Sequence, residues 1–311
     1  MTKKTALLFA GQGAQSVGMG KDLAAAYPAA GALIGRADEI LGRGLSRVMF
    51  EGPDEELTKT ANCQPALYVH GMACLAALRE ELGDFPIHAA AGLSLGEFTA
   101  HAAAGTFDFE TGLRLVAARS RFMQEACEAT SGAMAAMIGG SENAVRDLAA
   151  QTDVDVANLN SPGQVVISGE AAKIDLAISL AKEHGIRRAA LLNVAGAYHS
   201  RLMESAYEKL GEVLRTQAFR EPAFPVVCNV DALPVRDPAK IRETLQEQVT
   251  GTVRWTQSIE YLLDHEHIEL FVELGPGGVL AGLVGRIRKG AVAYSVADAA
   301  SVKAISALLK A

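Results

Sequence analysis

Residues 89–97 read Ala89-Ala90-Ala91-Gly92-Leu93-Ser94-Leu95-Gly96-Glu97, an apolar run that ends in G-x-S-x-G and passes into the helix-like Phe98-Thr99-Ala100-His101-Ala102. Strand, sharp turn and helix in that order are the setting of a nucleophile elbow. Glycine on both sides of the serine permits a turn too tight for a Cβ, which lifts the Ser94 hydroxyl clear of the sheet edge. Ser94 then stands at a helix N-terminus. The free N–H groups there, with the positive end of the helix dipole, can stabilise an oxyanion formed when the hydroxyl attacks a carbonyl. With 30 glycines in the chain the bare pattern is weak, and its weight comes from the strand before it and the helix after it.

The chain around this stretch has 311 residues, 50% of them hydrophobic, enough for one large domain or one domain carrying an insertion. Its 29 basic and 36 acidic residues give a formal charge of −7, which argues against a nucleic-acid binder needing a basic stripe. Cys63, Cys74, Cys127 and Cys228 show no metal-ligand spacing and read as reduced thiols of a cytosolic protein. His265-x-His267 has no further ligands nearby and reads as a solvated pair, so no metal is expected. The apolar run Ala6 to Ala10 is too short for a signal-peptide core and suits a first strand. No stretch approaches the roughly 18 apolar residues of a membrane span, and a soluble cytoplasmic protein is expected.

In chain order, a strand from Thr5 to Ala10 empties into the glycine-rich Gly11-Gln12-Gly13-Ala14-Gln15-Ser16-Val17-Gly18-Met19-Gly20. This loop matches no phosphate-binding pattern, since it lacks GKS/T and has Ser16 at the third glycine position of G-x-G-x-x-G. Two readings stay open: a backbone approaching a ligand, or a plain strand-to-helix turn. Leu23 to Leu82 is helical in pattern, with breaks at Pro28, at Gly52-Pro53 and near Asn62. Asp108 is a fitting N-cap for a helix reaching about Glu128, on which Leu115, Arg119, Phe122 and Met123 share one apolar face, away from Arg114 and Arg121. An arginine on a buried face needs an anion, either an internal Asp or Glu or one brought by a substrate.

Strand Ala133 to Ile138, helix Ser141 to Gln151, strands Val154 to Asn158 and Gln164 to Ser168, helix Lys173 to His184 and strand Arg188 to Val194 spell βαββαβ, the ferredoxin-like order. This places a small domain at 129–198 between the two parts, 1–128 and 199–311, of a large α/β domain, with a cleft between them. Beyond Tyr198-His199-Ser200 the pattern gives a strand from Val226 to Val230, helices around Ile241 to Gln248 and Trp255 to Leu263, and a strand from Leu270 to Glu273. The loop Gly275-Pro276-Gly277-Gly278 follows, then a strand from Ala291 to Val296 and a final helix from Val302 to Leu309.

Taken together, Phe9-Ala10-Gly11-Gln12-Gly13-Ala14-Gln15, Gly92-Leu93-Ser94-Leu95-Gly96-Glu97, Arg119 with Phe122-Met123-Gln124, Asn160-Ser161-Pro162-Gly163-Gln164-Val165-Val166-Ile167-Ser168-Gly169, Tyr198-His199-Ser200, Gln248 ahead of Val253-Arg254-Trp255, and Glu273-Leu274-Gly275-Pro276-Gly277 resemble malonyl-CoA:acyl-carrier-protein transacylases over nearly the whole chain. The resemblance implies a hydrolase-like large domain with a ferredoxin-like small one, and no cofactor. It implies an acylated Ser94 with His199 as its base, and oxyanion donors at the backbone N–H groups of Gln12 and Leu95. It gives Arg119 the malonate carboxylate and suggests a main-chain carbonyl near Gln248 as the group that orients His199. Leu93 stands where many members have His, and Ala197-Tyr198 where many have Pro-Phe, so Leu93 and Tyr198 bear on acyl selectivity. Asn160 and Gln164 are candidates for the cleft lining, with turn chemistry as their alternative.

The implied reaction is ping-pong. Malonyl-CoA acylates Ser94, and the phosphopantetheine thiol of acyl carrier protein then takes the malonyl group, supplying fatty acid or polyketide synthesis. The alternative is a serine esterase or thioesterase, in which the histidine normally comes late; here more than a third of the chain follows His199. A catalytically silent scaffold is opposed by the joint presence of Ser94, His199 and Arg119. An acidic carrier protein needs a local positive patch, for which Arg286, Arg288 and Lys289 are the densest candidate, with a solvated charge run as the alternative. The chain is expected to act as a monomer.

Overall fold

The computed structural model describes residues 3–310; Met1, Thr2 and Ala311, which the sequence reading included in the large domain, lie outside them. The chain runs β1 (Thr5–Phe9), α1 (Lys21–Ala26), α2 (Pro28–Leu41), α3 (Leu45–Glu51), α4 (Asp54–Thr58), α5 (Thr60–Leu82), β2 (Ala89–Gly92), α6 (Leu95–Ala103) and α7 (Phe109–Ala129). It continues with β3 (Gly132–Ile138), α8 (Glu142–Thr152), β4 (Asp155–Ser161), β5 (Gln164–Glu170), α9 (Ala171–Leu180) and β6 (Arg188–Leu191). It closes with α10 (Glu204–Thr216), β7 (Val226–Val227), β8 (Pro234–Val235), α11 (Pro238–Glu247), α12 (Trp255–Asp264), β9 (Leu270–Leu274), α13 (Val279–Ile287), β10 (Val292–Val296) and α14 (Ala299–Lys310).

The fold is α/β. One sheet has the order β10-β9-β1-β2-β7-β8, parallel from β10 to β7 with β8 antiparallel at its edge. Its central strands are apolar on both sides because helices cover both faces. In β1, Leu7 and Phe9 pack into the cluster that holds α2, α5 and α7, whereas Ala6 and Leu8 face Trp255, Ile259, Leu280 and Val284 from α12 and α13. This period of two puts a helix layer on each face. The carboxyl ends of β1 and β2 open on one edge, where the elbow sits.

The second sheet is antiparallel, in the order β4-β5-β3-β6, with α8 and α9 packed on it around Val145, Leu148, Ile167 and Ile174. Through β4 it is tied to the segment just before α12, whose Val253 packs beneath the first sheet. Leu159 N–H donates to the Val253 carbonyl (2.9 Å), Val253 N–H to that of Ala157 (2.8 Å), and the Thr252 hydroxyl to that of Val156 (2.6 Å).

Several expected boundaries move. The helix expected to break near Asn62 starts at Thr60 and runs through Pro65. Proline leaves the carbonyl four residues back without its helical donor, and the Arg43 guanidinium donates to that Ala61 carbonyl instead (2.6 Å). The strand expected to reach Val230 stops at Val227, because Asn229 leaves the sheet to bond the elbow. Asn160 and Ser161 belong to β4, so the turn before Gln164 is only Pro162-Gly163. The α13 helix is an addition: the sequence pattern assigned no element between the loop at 275–278 and the strand from Ala291. Buried Leu280, Leu283 and Val284 give it a packed face, and the Glu273 carboxylate accepts the Leu280 and Ala281 N–H groups at its start (3.1 and 2.9 Å). Among the described residues no helix is long and apolar enough to cross a membrane.

Candidate active site

The elbow is built by close approach. A Cβ on Gly92 would lie 1.9 Å from the Gly96 carbonyl carbon, and one on Gly96 would lie 2.1 Å from the Phe9 oxygen. Between them Ser94 takes φ 54° and ψ −107°, a strained conformation for a residue with a side chain. The glycine-rich loop after β1 packs against this turn. A Cβ on Gly11 would meet the Leu93 carbonyl at 2.5 Å, so glycine there is required by the elbow.

The Ser94 hydroxyl lies 2.8 Å from His199 Nε2, and His199 Nδ1 lies 2.7 Å from the main-chain carbonyl of Gln248. A carbonyl can only accept, so Nδ1 carries the proton and Nε2 is left bare to accept from Ser94 Oγ–H. Burial first, and the nearby Arg119 charge second, push the imidazole from 6.5 down to about 4, against the Gln248 and Gly251 carbonyls. His199 is therefore neutral at physiological pH, the form able to take a proton.

Arg119, 1% exposed on the inner face of α7, has only neutral hydrogen-bond partners. Nη1 donates to Gln64 Oε1 (2.7 Å), and Nη2 to Gln248 Oε1 (2.7 Å) and Ser94 Oγ (3.0 Å). Its Nε is buried without a partner, and its charged carbon sits 5.5 Å from the Phe98 ring centroid. The internal acid partner allowed by the sequence is absent from this bonding. Glu97 is the carboxyl whose field reaches it, and burial lowers the guanidinium only to about 10, so it stays charged.

These groups face a cleft of about 440 Å³ between the two sheets. Gln12, Leu93, Asn160, Gln164 and Tyr198 line it with Ser94 and His199. The Leu95 N–H opens α6 and has no intrahelical acceptor. Arg119, Leu95 and Gln248 are buried outside that lining, Arg119 and Gln248 bonded to Ser94, and Leu95 next to Ser94 in the chain. Asn160 Oδ1 is buried without a partner, Gln164 Oε1 is held by Arg286 (2.9 Å), and the Tyr198 hydroxyl lies 2.5 Å from Thr60 Oγ1. The expected basic patch is uneven: Arg288 is paired with Asp264 at 2.8 Å, while Arg286 bonds only the neutral Gln164. Among the described residues no group of three or more His, Cys, Asp or Glu could hold a metal ion.

Sequence reasoning assigned no role to Gln64, Glu97 or Asn229, although all three are buried around the elbow. The available signal was a polar side chain inside an otherwise apolar helical run, as at Glu97 between Leu95 and Phe98.

Residues 6–305 match the family described as acyl transferase domain. The chain is 42% identical to the malonyl CoA-acyl carrier protein transacylase of Bacillus subtilis, over 99% of this chain and 98% of that one. Among solved structures it superposes on the acyl-carrier-protein-S-malonyltransferase of Bartonella henselae with a TM-score of 0.95 at 38% identity, covering 99% of this chain and 100% of that one. It likewise resembles a malonyl-transacylase solved in complex with its type II polyketide synthase acyl-carrier protein, at a TM-score of 0.93, 38% identity and coverage of 99% and 100%. With this agreement along its whole length, the chain belongs to the malonyl CoA-acyl carrier protein transacylases of the acyl transferase family.

Proposed function

We propose that the chain moves the malonyl group of malonyl-CoA to the phosphopantetheine thiol of acyl carrier protein through a malonyl ester on Ser94, supplying fatty acid or polyketide synthesis. Ser94 Oγ attacks the thioester carbonyl as His199 Nε2 takes its proton, and the resulting oxyanion is received by the Gln12 and Leu95 N–H groups. Collapse breaks the C–S bond, and the CoA sulfur leaves with the proton held by His199. The carrier thiol then gives its proton to His199 and attacks the ester, and Ser94 regains its hydrogen. The observation that carries this reading is Ser94 Oγ bonded at once to a bare imidazole nitrogen and to a buried arginine. Arg119 is the partner of the free malonyl carboxylate, a planar fork whose present partners carry no counter-charge.

The serine hydrolase alternative has less support, since the partner of His199 Nδ1 is a main-chain carbonyl rather than an acid. Leu93 and Tyr198 line the cleft with Ser94 and His199 and are the proposed selectivity positions; Asn160 and Gln164 are its proposed polar contacts. The βαββαβ segment with sheet order β4-β5-β3-β6 supports a ferredoxin-like small domain at 129–198, set into a hydrolase-like large domain of 1–128 and 199–311. The substrates supply all the chemistry proposed, and a cytoplasmic monomer is the reading of location and state. Mixing the protein with malonyl-CoA should give a malonyl adduct by intact-protein mass spectrometry, and Ser94→Ala should give none. An adduct on the Ser94→Ala protein would overturn the assignment.

A further inference from the structure

The side chain of Asn229 spans the elbow. Its Oδ1 accepts the Ser94 N–H (2.7 Å), its Nδ2 donates to the Gly92 carbonyl (2.8 Å), and its own N–H donates to Glu97 Oε2 (3.0 Å). The same Glu97 oxygen accepts from Gln248 Nε2 (3.0 Å), which also donates to the Ser94 carbonyl (2.9 Å). The bonds close a ring in which both peptide groups of Ser94 are held from outside the turn, Asn229 being 1% exposed and Glu97 wholly buried. Gln248 is in turn the residue that touches Arg119 and His199.

Two features point beyond simple satisfaction of buried polar groups. The strained Ser94 backbone persists only where its surroundings over-determine it, and Asn229 supplies a bond on each side of that residue's entry into the turn. Glu97 leaves Oε1 buried with no partner, which costs stability, so its two accepted bonds secure geometry at a stability cost. Burial pushes its carboxyl up to about 8, and Oε2 can accept both N–H groups whether or not the acid is ionised.

We propose that Asn229, anchored by Glu97, is a positioning residue that holds the Ser94 hydroxyl at attacking distance and angle, acting on acylation rather than on substrate binding. This rests on Ser94 being the acylated residue, so the test starts by locating the malonyl group on the wild-type enzyme by peptide mass spectrometry. An adduct elsewhere would sink that reading by itself, before any variant is compared.

The experiment measures kcat and KM for malonyl-CoA, and the single-turnover rate of acyl-enzyme formation, in Asn229→Ala, Asn229→Asp, Glu97→Ala and Glu97→Gln. Asn229→Asp keeps the acceptor for Ser94 N–H and puts an oxygen against the Gly92 carbonyl. It should acylate about 10- to 100-fold more slowly, the scale of a small misplacement of a reacting group, with KM within about 3-fold of wild type. Asn229→Ala should be slower still. Glu97→Gln, whose amide oxygen can accept both N–H groups, should recover at least about 10-fold of the rate lost in Glu97→Ala. A folded Asn229→Asp protein acylating at the wild-type rate, or losing only KM, would overturn the proposal. Should the Asn229 variants fail to fold, the Glu97 pair decides: equal rates in Gln and Ala overturn it, and rescue by Gln supports it.

Discussion

Arg119 and Arg288 carry the same guanidinium and are held in opposite ways. Arg288 is 44% exposed at its side chain and bonds both oxygens of Asp264 through one nitrogen, at 3.0 and 2.8 Å. Arg119 is buried, and every oxygen it reaches is neutral. At the surface an ion pair forms easily and contributes little, because water already solvates both charges. In the interior an unpaired cation is unfavourable, which supports reading Arg119 as the partner proposed for an anion brought by substrate. The surface arginine has its counter-charge and the buried one has none in bonding contact, which is the ground for the proposed role of Arg119 toward the malonyl carboxylate.

The sharpest way to break this contrast is Arg119→Ala. Malonyl transfer should fall by roughly 100-fold or more, the effect of removing the cation from a buried ion pair. Acetyl transfer should stay level or rise, since acetyl brings no carboxylate and the mutant no longer buries an unmatched charge. Rates for both acyl-CoAs on both proteins check it. A parallel fall would make Arg119 a residue that supports the fold rather than one that meets the malonyl carboxylate.

The second effect is on pH. Because Arg119 is the second cause holding His199 down to about 4, the acid limb of kcat/KM should lie well below the ordinary 6.5 in the wild type and move upward in Arg119→Gln. A wild-type limb between pH 6 and 7 would break the argument. His70 is likewise depressed to about 4 and His101 to about 3 by burial. Between those values and 6.5 the unfolded chain binds more histidine protons than the folded one, so the part of stability that rests on these imidazoles should be full above about pH 6.5 and fall as pH drops toward 4, outweighing the opposite slope of the raised carboxyl of Glu97. Urea midpoints at pH 7 and pH 4.5 measure it, and equal midpoints would exclude these imidazoles as the cause.

What could be read from the sequence follows the same division. The elbow was legible because Gly92 and Gly96 answer to backbone approaches that only glycine tolerates, and such demands show in a short pattern. Arg119 was legible from helical periodicity alone, but its partners were not: Gln64, Ser94 and Gln248 come from three distant parts of the chain. The α13 helix was hidden because Gly282 and Gly285 interrupt its apolar pattern and its packed face, Leu280, Leu283 and Val284, is short. Asn229 was hidden because it sits where a strand was expected to continue, and only the elbow's position reveals why the chain leaves the sheet there.

The smallest effects concern the outer surface, where the basic patch divides along the same line. Arg288 is neutralised by Asp264, and Arg288→Ala should leave the melting temperature within about 2 °C and both half-reactions unchanged. Arg286 stands in the last turn of α13 with only the Gln164 amide as partner, so its charge is not cancelled locally. If an acidic carrier protein docks here, reversing Arg286 and Lys289 should raise its apparent KM several-fold at low salt and less at high salt, where the charges are screened. Acylation by malonyl-CoA should be unaffected by the Lys289 change, while Arg286 also holds a residue of the cleft lining, so the single variants separate docking from cleft geometry. An unchanged KM for carrier protein in the Lys289 and double variants would remove the patch, and a larger effect at Arg288 than at Arg286 would reverse the reading of which surface cation is free.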